Sequence, residues 1–357
     1  MKQKKRNSVS TSGNSDNVVS VGVIGLGRMG TIHAENLVLH VLRTRLTAIT
    51  SLDIRGVKKF AQKYSVPAVV EDYHKLLEDK RIEAVVISAS SEMHTRMIQD
   101  AAHAGKHIFC EKPIGLTLED IDKALAAVER AGVKLQIGFN RRFDPNFRQV
   151  RDEVAQGHIG KPHILRITNR DPAPPTIEYV KSSGGLFFDF AMHDFDMARF
   201  LIESEVEEIY STGAVRIDPH IGEAGDIDTA LTMLQFADGT LCSIDNSRQA
   251  VYGYDQRIEV FGSEGMVSAD NNTPTRTLLG NSGGMHTPLL LHNFRERYRL
   301  AYIEEMRAFI ECIQNDTQPL VTGEDGRQAV ILAFAAQRSF DEHRPVNIVE
   351  ISSKVTE

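Results

Sequence analysis

Short apolar runs alternate with amphipathic stretches over the first 140 residues of the chain. Six of the runs have the length and the β-branched content of strands, and they lie at 18–24, 46–51, 68–70, 84–88, 108–110 and 134–137. Five stretches between them have helical spacing, and they lie at 29–42, 54–64, 72–79, 91–104 and 117–131. Nearly continuous apolar strands separated by helices indicate a parallel sheet covered on both faces. The pattern therefore predicts a doubly wound α/β domain over 18–140.

After Gly138 the strands become longer and alternate apolar with polar residues. Strands are predicted at 163–170, 207–217, 228–236, 240–248 and 256–261, and helices at 146–156, 188–202, 294–315 and 325–340. Tight turns at 237–239 and 263–265 indicate antiparallel hairpins. The region 268–290 lacks periodicity and is predicted to be a loop. We therefore expect a C-terminal α+β domain over 141–357, built on an open, mainly antiparallel sheet.

Composition is that of an ordinary globular protein, and its length favours two domains. The net charge of −7 argues against a nucleic-acid partner or a membrane surface. The three cysteines form no C-x-x-C pair, which favours a reducing compartment, so a cytoplasmic location is expected. No apolar run approaches the length of a membrane span. Residues 1–17 are basic and then polar, without an apolar segment, and are predicted to be a disordered tail rather than a signal peptide.

The first predicted strand runs directly into the sequence Gly25-x-Gly27-x-x-Gly30, and a predicted helix follows. Gly25 permits a tight turn, Gly27 lets the backbone approach a pyrophosphate, and Gly30 lets the helix pack close to the strand. The N-terminus of the helix offers unpaired N–H groups to the same phosphates. The stretch predicts a dinucleotide site of the Rossmann type, with a purely structural turn as the alternative. The residues that we assign to the cofactor in this loop are Gly25, Leu26, Gly27, Arg28, Met29 and Gly30.

Two further stretches carry residues suited to acid–base chemistry. Lys112 follows a predicted parallel strand, at the edge where such sheets bind ligands, and Pro113 restrains the backbone beside it. Asp189 and His193 have i, i+4 spacing, so on a regular helix the carboxylate can orient the imidazole, which is suited to act as a general base. The structural alternatives are a solvated lysine, a helix cap and a histidine of the core.

A metal site is not expected from these residues. His193, Asp194 and Asp196 converge poorly on one ion from a regular helix, and no second histidine cluster completes the set. Arg141 and Arg142 lie at the predicted junction of the domains. Each arginine can bind substrate or join an ion-pair network between the domains, and the sequence leaves both roles open.

With the Gly25 loop, Glu111-Lys112-Pro113 and Asp189-x-x-x-His193 in this order, the chain resembles the Gfo/Idh/MocA oxidoreductase family over nearly its whole length. The resemblance implies a Rossmann domain joined to an open antiparallel α/β domain, and NAD(P)-dependent oxidation of a CH–OH group. Four stretches resemble in particular the members that oxidise one ring hydroxyl of myo-inositol, a cyclic polyol, to give 2-keto-myo-inositol; these are 138–144, 169–174, 184–196 and 252–257.

The resemblance also implies roles for individual residues. His193 would take the hydroxyl proton, Lys112 would stabilise the developing alkoxide, and Asp189 would orient both. The positions that match substrate-binding residues of the family are Lys112, Arg141, Asn169, Asp171, Asp189, His193 and Tyr254. Positions that match its cofactor contacts, beyond the Gly25 loop, are His94, Glu111 and Lys112. The residues at 89–91 depart from the Thr-Pro or Ser-Pro of many relatives, so no contact is assigned to them.

Cofactor choice depends on the end of the second predicted strand, where NAD-using members carry an acidic residue. Ser51 takes that position when the following helix is aligned, and Asp53 lies two residues later. Asp53 at the adenosine ribose would favour NAD, whereas Ser51 there would tolerate the 2′-phosphate of NADP, with Arg55 or Lys58 as its partner. Both Ser51 and Asp53 are therefore cofactor-binding candidates. We expect NAD, with NADP as the alternative.

The expected partners are a small polyol or sugar and further copies of this chain. Subunit association would cover the free face of an open sheet, so a homotetramer or homodimer is expected. The competing functions are a dehydrogenase of scyllo-inositol or of an aldose, and a regulator that binds NAD(P) without catalysis. Fold alone does not separate an enzyme from such a regulator. The presence of Lys112, Asp189 and His193 together favours the enzyme.

Overall fold

The computed structural model describes residues 18–352, so the predicted tail over 1–17 lies outside the described residues. The strands of the first half are β1 (Val19–Ile24), β2 (Thr44–Thr50), β3 (Ala68–Val69), β4 (Ala84–Ile87), β5 (His107–Glu111) and β6 (Leu135–Gly138). The helices between them are α1 (Arg28–Leu39), α2 (Ile54–Tyr64), α3 (Tyr73–Glu78), α4 (His94–His103) and α5 (Leu118–Ala131). All six strands pair in parallel, in the order β3-β2-β1-β4-β5-β6. The predicted doubly wound sheet is confirmed.

Burial on both faces of this sheet explains why its strands have nearly continuous apolar sequences. Val85 and Val86 of β4 point to opposite faces, and both are fully buried. The chain order reverses between β1 and β4, which opens a crevice at the carboxyl edge of the sheet. The Gly25 loop follows β1 and Lys112 follows β5, so the two candidate stretches meet at this edge.

The second half is built on a mixed sheet of seven strands. Its strands are β7 (Pro162–Arg170), β8 (Val206–Ala214), β9 (Thr229–Phe236), β10 (Leu241–Ser247), β11 (Asp255–Gly262), β12 (Met266–Ala269) and β15 (Val346–Asn347). The order is β12-β11-β7-β10-β9-β8-β15. Strands β7 and β10 pair in parallel and the other neighbours are antiparallel, as predicted for a mainly antiparallel sheet. The helices are α6 (Pro145–Ala155), α7 (Ile177–Ser183), α8 (Met192–Ile202), α9 (Pro219–Glu223), α10 (Phe294–Arg297), α11 (Arg299–Gln314), α12 (Gly323–Glu342) and α13 (Val349–Ser352).

Local details differ from the predicted pattern. The single helix predicted at 294–315 is two helices, α10 and α11, which meet at Tyr298. The predicted loop at 268–290 contains a small hairpin of β13 (Leu279–Asn281) and β14 (Gly284–His286). Helices α7 and α9 were not expected, because helices this short show little periodicity. A π-helical turn at Phe187–Ala191 leads into α8 and changes the spacing of the side chains there.

The last long helices return to the first half of the chain. Met306, Phe309 and Ile310 of α11 are buried in one hydrophobic cluster with residues of α1, β1 and β4. A Cβ on Gly323, at the start of α12, would lie 2.3 Å from a methyl group of Leu125 on α5. Both halves are therefore packed together around the crevice. The division of the chain at residue 140 stays a prediction about its folding units.

Candidate active site

The Gly25 loop has the geometry that a dinucleotide requires. Gly25 has a φ of +91°, and a Cβ there would lie 2.4 Å from the carbonyl oxygen of Ser88. A Cβ on Gly30 would lie 1.9 Å from the carbonyl oxygen of Gly25, whereas Gly27 faces open space. Gly27 caps α1 without a side-chain hydrogen bond, so the first N–H groups of the helix remain available. These residues fit the pyrophosphate of a dinucleotide.

The other residues of this loop connect it with its surroundings. Leu26 and Met29 are partly buried, and each packs against a different hydrophobic cluster. The exposed guanidinium of Arg28 lies 5.1 Å from the ring centre of Phe294 and 5.9 Å from that of Tyr179. Both aromatic residues belong to the second half of the chain. Arg28 therefore links the cofactor loop to the side of the crevice opposite the parallel sheet.

The end of β2 lies beside the Gly25 loop, because the N–H of Gly25 donates to the carbonyl oxygen of Thr50 at 2.8 Å. Ser51 is the next residue and is partly buried. Asp53 is the N-cap of α2, and its Oδ1 accepts a hydrogen bond from the N–H of Gly56 at 3.1 Å. One carboxylate oxygen of Asp53 is thus used within its own helix. Ser51 directly follows Thr50, the end of β2 that is bonded to the Gly25 loop.

Glu111 and His94, which the resemblance placed at the cofactor, are buried and contact other protein groups. Oε1 of Glu111 lies 2.6 Å from Nε2 of His33 on α1. The ring nitrogens of His94 lie 2.7 Å from the carbonyl oxygen of Pro113 and 3.2 Å from a carbonyl oxygen in the loop after β4. Burial lowers the pKa of His94 below its ordinary value. Both side chains thus help to hold the segment after β5 in place, and a contact of either with the cofactor stays a prediction.

Lys112 reaches from this segment across the crevice to Asp189. Its Nζ donates to the backbone carbonyl oxygen of Asp189 at 2.8 Å and lies 3.4 Å from Oδ1 of the same residue. The lysine follows β5 in the first half of the chain, whereas Asp189 lies in the π-helical turn of the second half. The structure thus brings together two residues that the sequence analysis selected from separate motifs.

Two further side chains hold the Asp189 carboxylate. The hydroxyl of Tyr179 donates to Oδ1 at 2.7 Å, and Nη1 of Arg248 donates to Oδ2 at 3.1 Å. Burial would raise the pKa of Asp189, but the positive charges of Lys112 and Arg248 outweigh it and lower the pKa below its ordinary value. Asp189 is therefore an ionised carboxylate between two cations.

His193 does not form the predicted contact with Asp189. Asp189 lies within the π-helical turn at Phe187–Ala191. The i, i+4 spacing to His193 therefore does not stack the two side chains as a regular α-helix would. Nδ1 of His193 is buried without a hydrogen-bond partner, and the ring packs edge-on against Phe139 at 5.9 Å. Burial lowers the pKa of His193 well below 6.5, and the charges of Lys112 and Arg141 lower it further. The ring is neutral at neutral pH.

Asp171 and Arg248 complete this group of side chains. Oδ2 of Asp171 lies 3.9 Å from Nη1 of Arg248. Burial raises the pKa of Asp171 to about 7, although Arg248 opposes the shift. Tyr254 is buried beside them, and its ring packs edge-on against Tyr298 at 6.0 Å. We refer to Lys112, Asp171, Asp189, His193 and Arg248 as the site cluster.

A second polar group lies directly behind the site cluster and is almost fully hydrogen-bonded. Asp194 accepts from Nη1 of Arg141 at 2.6 Å, from Nδ2 of Asn169 at 2.7 Å and from Nδ2 of Asn246 at 2.8 Å. Oδ1 of Asn169 accepts from Nε2 of Gln256 at 2.6 Å. We refer to Arg141, Asn169, Asp194, Asn246 and Gln256 as the support cluster. Its members are all buried.

The support cluster includes two residues that were predicted to bind substrate. Nη1 of Arg141 and the side-chain amide of Asn169 are bonded to Asp194 and Gln256, so both residues hold this cluster together. Substrate binding by Arg141 or Asn169 stays a prediction. Arg142 follows the ion-pair alternative, because it forms a bidentate pair with Asp196.

Sequence reasoning did not find Arg248 or Tyr179. Arg248 directly follows β10, which runs parallel to β7, so it lies beside Asp171 at the ends of the two strands. Nothing in the local sequence indicates that parallel pair, because hairpin signals suggest antiparallel neighbours. Tyr179 lies on the short helix α7, which periodicity does not reveal. The proline-rich stretch before α7 was the one available signal that this region departs from the sheet.

Residues 18–352 contain no helix that combines the length and the apolar character needed to cross a membrane. Residues 19–139 match the model of an oxidoreductase family with an NAD-binding Rossmann fold, and residues 147–268 match the Gfo/Idh/MocA C-terminal domain. The expected cofactor, NAD, agrees with the first of these.

Individual relatives agree with the family models. A myo-inositol 2-dehydrogenase of Thermotoga maritima is 47% identical over 93% of this chain and 99% of its own length. A putative myo-inositol dehydrogenase of Sinorhizobium meliloti has a solved structure with a TM-score of 0.89 and 41% identity, covering 92% of this chain and 99% of that one. The scyllo-inositol dehydrogenase of Lactobacillus casei, solved with NAD(H) and scyllo-inositol, has a TM-score of 0.88 and 32% identity, covering 93% and 99%. The resemblance seen in the sequence is confirmed, and the chain belongs to the Gfo/Idh/MocA family of oxidoreductases.

Proposed function

We propose that this protein oxidises one ring hydroxyl of myo-inositol to the ketone, 2-keto-myo-inositol, with NAD as the hydride acceptor. The observation that carries the proposal is the site cluster, in which Lys112, Asp189 and a neutral His193 meet at the carboxyl edge of the parallel sheet. The relatives named above support the choice of an inositol as substrate.

The chemistry divides between the cofactor and the chain. When bound, the nicotinamide takes the hydride from the substrate carbon. His193 takes the hydroxyl proton. Because its Nδ1 is enclosed, Nε2 is the nitrogen that we assign to accept this proton. The ammonium of Lys112 stabilises the negative charge that develops on the oxygen. Asp189 holds Lys112 through its backbone carbonyl oxygen, so its role is to orient the lysine rather than the imidazole.

The remaining side chains are suited to an uncharged polyol. Asp171, with a pKa of about 7, can donate a hydrogen bond when protonated and accept one when ionised. Nη1 of Arg248 donates to Oδ2 of Asp189 at 3.1 Å, so the guanidinium holds that carboxylate in place beside the substrate. Tyr254 supplies a buried aromatic wall. A site that reads hydroxyls in this way rejects analogues lacking one, because a buried polar group is then left unpaired.

A substrate panel tests the proposal. Purified protein is mixed with myo-inositol, scyllo-inositol, glucose and xylose, each with NAD and with NADP, and the absorbance of the reduced cofactor is followed. We expect the highest kcat/KM with myo-inositol and NAD. A higher value with scyllo-inositol or an aldose would replace the substrate within the same reaction. Absence of turnover on the whole panel, with intact NADH binding, would favour the regulator.

The hydrogen bonding of Asp53 supports binding of NADP as well as of NAD. One oxygen of Asp53 caps α2, which supports Ser51 as the residue that faces the adenosine ribose. Serine places no negative charge against a 2′-phosphate, and the exposed Arg55 lies in the first turn of α2. We infer that NADPH binds as well as NADH does to within about tenfold, an energy difference of about 1.4 kcal/mol.

Binding of NADH and NADPH, measured by the fluorescence of the reduced nicotinamide, separates the two residues. Ser51→Asp is expected to weaken NADPH binding and leave NADH binding intact. Asp53→Asn is the matched control, because asparagine keeps the cap and removes the charge. A shift in the NADH to NADPH ratio in Asp53→Asn alone would show that Asp53 faces the ribose.

We also propose a homotetramer or homodimer joined through the outer face of the seven-stranded sheet. Tyr210, Leu231, Met233, Leu241 and Phe261 on this face are each more than a third exposed. Leu241 of β10 and Phe261 of β11 both lie opposite Ile164 of β7, so the apolar patch runs across neighbouring strands. A contiguous apolar patch of this kind is typical of an interface, and a second copy would present the same patch.

Light scattering of the purified protein tests this assembly. Met233→Glu is expected to lower the molar mass in solution, and Leu42→Glu, at an exposed apolar residue outside this sheet, is the matched control. A monomeric mass for the unmodified protein would contradict the proposal.

A cytoplasmic location also stays a proposal, supported by three cysteines that are all free and buried.

A further inference from the structure

A buried polar cluster lies beneath the segment that follows β5. It consists of His33 on α1, Glu111 at the end of β5 and Glu305 on α11, and all three side chains are buried. Nε2 of His33 lies 2.6 Å from Oε1 of Glu111, and Nδ1 lies 3.8 Å from Oε1 of Glu305. The rings of Phe109 and Tyr302 pack edge-on against the imidazole, at 5.0 and 6.1 Å. The cluster therefore joins three elements in an apolar environment.

The pattern of hydrogen bonds in this cluster is uneven. Both carboxylate oxygens of Glu305 and Nδ1 of His33 are buried without a partner. An ionised Glu305 would face the carboxylate of Glu111 across a single ring, with no donor of its own. Because such a charge is costly to bury, the group keeps its proton instead. Burial and the charge of Glu111 accordingly raise the pKa of Glu305 well above its ordinary value.

The imidazole of His33 is bonded on the Glu111 side of the ring. Its Nε2–H donates to Glu111 at 2.6 Å, whereas Glu305 lies beyond hydrogen-bond distance from Nδ1. This contact fixes the last side chain of β5. On the other side of Lys112, the carbonyl oxygen of Pro113 lies 2.7 Å from Nδ1 of His94. The backbone that carries Lys112 is thus held on both sides by a buried histidine.

The same contact connects Lys112 with the cofactor loop. Helix α1 begins at Arg28, immediately after Gly27, and His33 lies on the buried face of that helix. A hydrogen bond from His33 to Glu111 therefore sets the distance between the helix that receives the pyrophosphate and the strand end that carries the lysine. A displacement of about 1 Å at a reacting group can cost about 100-fold in rate.

We propose that His33 is a positioning residue for Lys112. The Nε2–H of His33 holds the carboxylate of Glu111, and Glu305 on the opposite side of the ring lies too far away to compete for that contact. The kinetic consequence of this arrangement rests on the proposed dehydrogenase function, whereas its structural consequence does not.

Two amide variants of His33 test the proposal. His33→Gln can place an amide N–H near the position of Nε2, whereas His33→Asn reaches only the position of Nδ1. We expect His33→Asn to lower kcat by about 100-fold while KM for myo-inositol changes by less than about threefold. We expect His33→Gln to recover kcat to within about tenfold of the unmodified enzyme. Equal losses in the two variants would overturn the proposal, because ring packing rather than the donor would then be what matters.

Hydrogen exchange of the peptide spanning residues 107–116 gives a readout that needs no substrate. His33→Asn should exchange faster in this peptide than His33→Gln, while exchange in the second half of the chain stays the same. Unchanged exchange in this peptide would overturn the proposal even where no polyol is oxidised. The expected difference in exchange between the two variants can be observed while the unmodified protein oxidises no polyol. That result would contradict the proposed function and not the role of His33.

Glu305→Gln tests the protonated state and applies even where His33→Asn fails to fold. Glutamine is a neutral isostere, so kcat should stay within about twofold of the unmodified enzyme and the midpoint of thermal unfolding should not fall. A large loss of either would show that Glu305 is ionised and would overturn the proposal.

The side chains of His33, Glu111 and Glu305 also have the donor types of a metal site. One equivalent of tightly bound metal in the purified enzyme, with activity lost on chelation, would overturn it as well.

Discussion

Asp189 and Asp194 lie in the same helical segment, one facing the substrate side and the other facing away from it. Asp194 is fully buried, and burial raises its pKa despite the hydrogen bonds it receives from Arg141 and its neighbours. At Asp189 the charges of Lys112 and Arg248 outweigh burial and lower the pKa. Nearly every polar atom around Asp194 has a protein partner, whereas Nη2 of Arg248 beside Asp189 does not.

Residue type does not separate a reactive cluster from a supporting one. Both clusters contain an arginine and an aspartate, but the site cluster has two cations beside one ionised aspartate, while Asp171, with a pKa of about 7, is only partly ionised at neutral pH. That excess of positive charge favours an oxygen that becomes negative during the reaction. The support cluster has no such excess, because the one charge of Arg141 faces the one charge of Asp194. Substitutions should therefore affect activity in the first cluster and stability in the second.

The largest effect is expected at Lys112. Lys112→Ala removes the cation nearest the reacting oxygen and should lower kcat by about 1,000-fold or more, with NADH binding retained. His193→Ala should lower kcat to a similar extent, because it removes the proton acceptor. Initial rates and NADH titrations measure the two properties separately. Lys123→Ala, at an exposed lysine of α5, is the control that should leave both unchanged. Near-normal turnover in either active-site variant would mean that the roles are wrong.

A smaller effect, and one on stability, is expected at Asp194. Asp194→Asn leaves Arg141 as a buried charge without its partner and should lower the free energy of unfolding by about 3 kcal/mol. Asp189→Asn, the matching change in the site cluster, should cost less stability and more activity, because Arg248 and Lys112 retain other contacts. Urea unfolding and initial rates on both variants test the contrast. Equal stability losses would erase the distinction between the clusters.

Site residues whose position depends on neighbouring residues could be predicted from the sequence, whereas those placed by long-range strand pairing could not. The Gly25 loop and Lys112 were predicted because each depends on a strand and the turn that follows it, which local pattern reveals. Arg248 reaches the site through the parallel pairing of β7 and β10, and such long-range pairing leaves no mark on neighbouring residues. The spacing of Asp189 and His193 suggested a contact that the π-helical turn prevents.

The burial of individual side chains could not be predicted from the sequence either. Asn169 was placed at the correct strand end, but alternation along β7 turns its side chain inward, where it is fully buried. A motif match identifies the residue without identifying whether its polar atoms are free. Asp53 illustrates the same limit, because a helix cap and a ribose contact require the same residue type at nearly the same position.

Asp171 offers a test of the site cluster by pH. Its pKa is about 7 in the folded protein and 3.8 ordinarily, so the folded state holds a proton that the unfolded chain releases. The stability from this proton is complete below about pH 4 and is lost as the pH rises through about 7. Asp171→Asn cannot ionise, so its stability relative to the unmodified protein should rise between pH 5 and pH 8. Thermal unfolding at both pH values measures the difference. A constant difference would place the pKa of Asp171 near its ordinary value.

The smallest effect is expected at Tyr179, whose hydroxyl donates to Oδ1 of Asp189 at 2.7 Å. Tyr179→Phe removes one of several contacts to that carboxylate, at a partly exposed position, and should lower kcat/KM by about fivefold, or about 1 kcal/mol. The phenyl ring remains to contact Arg28, so the change isolates the hydroxyl. Tyr179→Leu also removes the ring face and should weaken NADH binding in addition, because Arg28 belongs to the cofactor loop. If Tyr179→Phe left kcat/KM unchanged, Arg248 and Lys112 alone would suffice to hold Asp189, and the site cluster would then be independent of α7.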